Sequence, residues 1–141
     1  HAPLSFGQHV QAALLPRAER RAPLTRLLER RAMLERTIPR GSTVLTTARF
    51  ARQLVMLCDC YVLAADRGHT QLSGIDKRRR DLVFLNAALS PWDQRAHLIK
   101  HYGVQLVTFE NRWRRRYQWA YEHGDIIGSA AGQDVISLRL P

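Results

Sequence analysis

Apolar residues along this chain recur at two alternating spacings, one near the helical period of about 3.6 residues and one of contiguous short runs, and the alternation predicts helices and strands in turn. The best-signed unit is Ser90 to Glu110. Ser90 is a good N-cap, Pro91 suits the first helical position, and Asp93 supplies a capping partner and a negative charge where a helix starts. Ala96, Leu98, Ile99 and Tyr102 form an apolar side, and Gly103 is placed to take the left-handed conformation that ends the helix. Val104 to Phe109 then reads as a strand rich in β-branched and aromatic residues.

The same pattern extends in both directions. Phe6 to Leu15 offers a short helix that Pro16 interrupts, and from Pro23 onward Leu24, Leu27, Leu28, Leu34 and Ile38 fit one helical side. Ile38 to Ser42 is a turn signal. Thr43–Thr47 is expected as a strand, Ala48–Leu57 as a helix, Tyr61–Ala65 as a second strand, and Asp66–Gly74 as a polar loop. A helix with a basic start covers Lys77–Leu89. Beyond the Ser90–Glu110 unit, a helix is expected from about Arg112 to Glu122, a glycine-rich loop over Gly124–Gly132, and a last strand over Val135–Leu140. The order is that of an α/β fold: a small three-layer domain over 39–141, with a mostly parallel sheet of about four strands covered by helices, preceded by a helical N-terminal arm over 1–38. The final strand, reached through a longer loop, suits an antiparallel edge.

Composition adds one outlier. At 141 residues the chain fits a single domain, and 45% apolar with 24% charged residues is ordinary for a globular protein. The formal charge of +10 is not ordinary, and nearly all of it is arginine, Lys77 and Lys100 being the only lysines. Such a charge favours polyanions or anionic membrane surfaces, or else a solvated arginine-rich face. Cys58 and Cys60 cannot fill a structural zinc site by themselves. A disulfide between them is awkward if strand neighbours point to opposite faces, so both are expected as small core or strand residues. The chain holds no apolar run long enough to span a bilayer and no signal-peptide core. It starts at His1, which suggests an excised or processed piece.

Tests for chemistry return little. No serine has a G-x-S-x-G setting, and neither cysteine has a protease context. His97 and His101 are spaced as on one helical face, but Leu98 stands where H-E-x-x-H needs glutamate, and a solvated flank explains them better. Thr46-Thr47-Ala48-Arg49 has no glycine, so the first strand is followed by neither a P-loop nor a dinucleotide fingerprint. No catalytic residue, metal or cofactor is therefore expected. The basic runs carry more. Arg78 and Arg79 lie in Lys77–Arg80, and Arg112-Trp113-Arg114-Arg115-Arg116-Tyr117-Gln118-Trp119 interleaves cations with rings. Such a mixture suits a lipid headgroup layer. It also suits a nucleic-acid platform, although no helix-turn-helix, zinc-finger or RNP-type pattern accompanies it. The plain alternative is an amphipathic helix whose inner face is Trp113, Tyr117 and Tyr121. The expected contact residues are thus Arg112, Trp113, Arg115, Arg116, Trp119, Arg78 and Arg79. Asp66 and His69 join them, in a polar loop at the carboxyl end of a strand, the usual ligand edge of such sheets.

From residue 36 onward the succession resembles a soluble domain carried by multi-pass membrane glycosyltransferases of the GT-C type. The resemblance rests on the Ile38–Thr46 turn and strand, Tyr61-Val62-Leu63-Ala64, the Asp76–Asp81 helix start, the Leu98–Val107 unit and the closing Val135–Leu140 strand. It is a pattern of hydrophobicity and turns. It implies a non-catalytic domain on the extracytoplasmic face of a bacterial cell membrane, in an envelope protein that uses lipid-linked sugars. Its partners would be the rest of a membrane-embedded parent, glycan, or anionic lipid headgroups. The catalytic acids of such enzymes lie in transmembrane loops, so the resemblance carries none to this chain. A cytoplasmic α/β module binding nucleic acid is the competing expectation.

Overall fold

A computed structural model describes residues 17–64 and 74–140. The first helix, α1, spans Arg17–Thr37 with Pro23 inside it. Then follow β1 (Val44–Leu45), α2 (Ala48–Leu57), α3 (Ile75–Asn86), α4 (Trp92–Tyr102) and β2 (Leu106–Glu110). A 3-10 turn (Asn111–Trp113), α5 (Gln118–Glu122), β3 (Gly124–Ala130) and β4 (Gln133–Leu138) complete the chain. The fold is α/β, with one four-stranded sheet in the order β1-β2-β4-β3.

Side chains alternate across the sheet, so its two faces build two cores. Val44, Leu106 and Val135 meet Met33, Leu34, Ile38 and Leu54 from α1 and α2 on one face. Leu45, Val107, Phe109 and Ile136 meet Leu82, Leu85, Ile99, Tyr117 and Trp119 from α3, α4 and the region of α5 on the other.

The sheet is mixed, not mostly parallel. β1 and β2 run parallel through the helical crossover, with Val44 opposite Leu106. β4 is antiparallel to β2, with Val107 opposite Ile136, and β3 is antiparallel to β4. The difference comes from two segments. Tyr61–Ala65 makes only a single parallel bridge, Thr43 with Tyr61, among the described residues. Gly124–Gly132 is not a loop but strand β3 and its turn. Ala131 and Gly132 both have positive φ (49° and 79°), as a two-residue type I′ hairpin turn requires. Gly128 is there for contact, since an added Cβ would sit 2.7 Å from Thr37 Oγ1 and 3.0 Å from Met33 Sδ of α1.

Two further expectations change. Ser90 does not cap α4; its hydroxyl donates to Phe84 O at 2.6 Å and closes α3, while Pro91 takes the cap position without a side-chain hydrogen bond. Gly103 does end α4 in the left-handed conformation, at φ 67°. On α1, Leu24, Leu27 and Leu28 are 56–58% exposed, while Met33 and Leu34, with Ile38 just after the helix, reach the core. The sheet ends at the β3–β4 turn, where Arg30 Nη2 donates to Ala131 O at 2.9 Å, so earlier turns of α1 have no strand beneath them.

Cys58 and Cys60 form a disulfide, contrary to the expectation of two separate core residues. They are two positions apart, not neighbours, and lie on the turn after α2. Strand alternation therefore does not separate them, and their Cα atoms are 5.5 Å apart, inside the usual bridging range. No helix among the described residues is long and apolar enough to cross a membrane.

Candidate functional site: a cationic cleft beside an arginine–tryptophan turn

The chain after β2 does not continue as one helix. Burying Tyr117, Trp119 and Ala120 together is incompatible with a helical stripe that also holds Trp113 and Tyr121, and the segment breaks into a 3-10 turn, irregular turns and the short α5. Tyr117 is fully buried, stacked on Phe109 with ring centroids 4.2 Å apart. Trp113 is left 45% exposed. The guanidinium groups of Arg112 and Arg116 lie over its ring at 5.1 and 5.5 Å, within cation–π range. Arg112 is also paired with Glu110 at 2.5 Å. Arg114 and Arg115 are exposed on the same turn.

Tyr117 anchors this turn to the rest of the sheet. Its hydroxyl donates to Asn86 Oδ1 at 2.8 Å, and Asn86 Nδ2 donates to Thr46 O at 3.2 Å. One side chain at the end of α3 therefore ties the arginine turn to the carboxyl end of β1. Burial pushes the Tyr117 phenol up to about 12, so it serves as a neutral donor over the whole physiological range.

Beside Asn86 lies a cleft of about 650 Å³. Thr47 and Ala48 at the start of α2 form one rim; Leu82, Val83, Ala87 and Ala88 form apolar walls; Arg79 and Arg116 supply the charge. Among the described residues, none that lines it is acidic. Thr47 is committed to its own helix, its side chain accepting from Phe50 N at 3.2 Å. The cleft sits at the carboxyl end of the parallel strand β1, the edge of an α/β sheet where ligands usually bind.

Arg95 lies directly behind the Ala87 wall. It is only 2% exposed, donates from Nη2 to Ala87 O, and its guanidinium sits 4.5 Å from the centre of the Trp119 ring. Its Nε has no hydrogen-bond partner, and it forms no ion pair with any described carboxylate. Burial lowers its pKa from the usual arginine value.

A second cleft of about 580 Å³ carries mixed charge, with Arg80, Asp81, Asp93 and His97 around Phe84 and Leu98. Its Asp81 accepts from Tyr102 Oη. Burial and that carboxylate raise the Tyr102 phenol to about 12. His97 and His101 are exposed on α4.

The expected contact residues separate accordingly. Arg112, Trp113, Arg115 and Arg116 share one exposed turn, and Arg116 lines the cleft that Arg79 of α3 also lines. Arg78 faces the Tyr102–Asp81 side instead. Trp119 is buried and drops out as a contact residue. Asp66 and His69 lie outside the described residues. Arg95, Asn86 and Thr47 were not foreseen. The signal for Arg95 was available: Trp92, Arg95, Ile99 and Tyr102 follow helical spacing more closely than the stripe through Ala96 and Leu98, and Arg95 and Ile99 are the buried pair.

No protein-family model matches this chain, and no curated protein matches its sequence.

Proposed function

We propose that this chain is a non-catalytic, extracytoplasmic accessory domain of an integral-membrane, glycosyltransferase-like protein, facing glycan acceptor or the headgroup surface. The observation that carries the reading is the exposed Trp113 ring held under Arg112 and Arg116. A flat ring framed by guanidinium groups suits the polar–apolar boundary of an anionic membrane, where tryptophan and arginine both find partial burial. It equally suits stacking on a sugar face. The Cys58–Cys60 disulfide supports an oxidising compartment, since such bonds persist outside the cytoplasm.

The test is co-sedimentation of the whole chain with phosphatidylglycerol and with phosphatidylcholine vesicles, alongside a glycan array. Retention on anionic vesicles that weakens with salt, or binding to a defined glycan, with Trp113→Ala reducing either, is the expected result. No retention on any vesicle or glycan at low salt sinks the reading. A mobility shift of RNA or DNA in that same case assigns the arginine turn to nucleic acid instead.

A further inference from the structure

The Cys58–Cys60 disulfide has a sequence separation of 2, so it closes a loop that holds Asp59 alone. Cross-linking so short a loop removes little freedom from the unfolded chain, whereas a bond placed for stability gains most by closing a long one. The backbone around it is already held by other means. Cys58 N–H donates to Leu54 O at 3.0 Å at the end of α2, and Gly41 N–H donates to Asp59 O at 2.7 Å. Tyr61 N–H donates to Ser42 O, and Tyr61 O accepts from Val44 N–H, both at 2.8 Å. Cys58, Asp59 and Tyr61 are thus each fixed by main-chain hydrogen bonds that do not involve sulfur.

The reduced pair also has a place in this fold. Cys58 Sγ lies 3.3 Å from Leu54 O, within reach for an S–H donor, while Cys60 Sγ lies 4.0 Å from the same oxygen. A protonated Cys58 thiol therefore finds an acceptor without any movement of α2. Both cysteines are half-buried and pack on the core that holds Leu34 and Leu54. On either side of Cys60, Asp59 and Tyr61 are exposed, Tyr61 at 66%. Gly41, which binds Asp59 O, has open space where a side chain would stand. The Arg40–Asp59 ion pair at this turn is exposed on both partners and holds little. Accessible disulfides that contribute little to folding are the labile, exchanging kind.

We propose that Cys58–Cys60 is a redox-active disulfide that exchanges with dithiols, accepting an electron pair from two cysteine thiols of a partner polypeptide. A partner thiolate attacks Cys60 Sγ and forms a mixed disulfide with it. The Cys58–Cys60 bond breaks, and its electron pair goes to Cys58 Sγ, which takes a proton from water and donates it to Leu54 O. The partner's second thiol, deprotonated, then attacks the partner's own sulfur in the mixed disulfide and releases Cys60, which is protonated in turn. The partner leaves with a disulfide, having lost two electrons and two protons, and this chain carries them as two thiols. A more oxidising disulfide returns the pair to its bonded state by the same steps reversed. The inference goes beyond the surface reading and does not rest on it, because exchange needs neither glycan nor lipid.

Incubation of the whole chain in glutathione buffers of graded ratio, followed by acid quenching, alkylation and intact mass, reads the exchange. Half-reduction is expected within the range that reduced and oxidised glutathione can poise, with the reduced chain keeping its native circular dichroism and a cooperative unfolding transition. A reduced peptide carrying two cysteines, mixed with the oxidised chain, should gain a disulfide as the chain loses its own, one for one. Cys58→Ser leaves Cys60 as the single thiol. It should react with an aromatic disulfide reagent at least roughly tenfold faster than Cys60→Ser, whose remaining thiol is held by Leu54 O. A bond that stays closed in excess dithiothreitol until denaturant is added, a chain that unfolds on reduction, or no transfer to the peptide overturns the proposal. Equal reactivity of the two single-thiol variants overturns the assigned attack at Cys60.

Discussion

Tyr117→Phe separates what a single hydroxyl contributes to the cleft from what the buried ring contributes. The ring stacks on Phe109 and stays in either variant; only the hydrogen bond to Asn86 Oδ1, 2.8 Å long, is removed. Asn86 lines the cleft, so water can replace the lost donor, and at neutral pH the variant should be less stable by about 0.5–1.5 kcal/mol. Alkali reverses the order. The buried phenol is pushed up to about 12, against about 10 in an unfolded chain. Between those values the unfolded state has released a proton that the folded state still holds, so stability falls as pH rises. The contribution is fully present below about pH 10 and is lost toward pH 12, at up to about 1.4 kcal/mol per pH unit and about 2–3 kcal/mol in all. Urea midpoints of the two proteins from about pH 8 to 12, followed together with tyrosinate absorbance, read this directly. The curves should cross near about pH 11, with the phenylalanine variant the more stable above it. Tyr102 and Tyr121, whose phenols are also raised, add the same slope to both curves and cancel in the difference. Parallel curves with a constant gap would refute the burial argument for Tyr117.

Gly128→Ala should destabilise by about 1–3 kcal/mol in thermal or urea unfolding, because its methyl meets Thr37 and Met33 of α1; Thr37→Ala in the same chain should relieve most of that loss. Cys58→Ser should lower stability by about 1.5 kcal/mol, the small figure following from the short loop that the bridge closes, and a reductant should lower the wild type by the same amount. Trp119→Ala should cost about 3–5 kcal/mol of folding stability. Trp113→Ala should change stability by less than about 0.5 kcal/mol while reducing vesicle or glycan retention, so the two tryptophans divide cleanly between core and surface.

How much of this was legible beforehand differs by element. The Gly103 end of α4 and the α2 helix follow from local spacing. The β3–β4 hairpin was missed because Gly124, Gly128 and Gly132 read as loop residues. Each has a reason that belongs to another segment. Gly124 lies where a Cβ would meet Ile136 Cγ2 at 2.5 Å, Gly128 lies against α1, and Gly132 makes the turn. The site was half legible. Two arginine runs announce themselves in the sequence, but nothing local says that Arg79 and Arg116 converge while Arg78 turns to Tyr102 and Trp119 to the core.

What the amino-acid sequence determines by itself is therefore helices α2, α3 and α4, the α/β class and a surplus of arginine charge. Periodicity and capping are short-range interactions, decided within a few residues of each position. The tertiary structure decided the rest. Strand direction depends on which edges meet, and the register of β4 between β2 and β3 is a contact between segments distant in the chain. Beside the cleft, Asn86 joins Thr46 to Tyr117, a link between residues 40 and 31 positions away from it in the chain. Helical spacing places Arg95 on the inner face of α4, but that it meets Ala87 O and the Trp119 ring there depends on segments brought together by the fold.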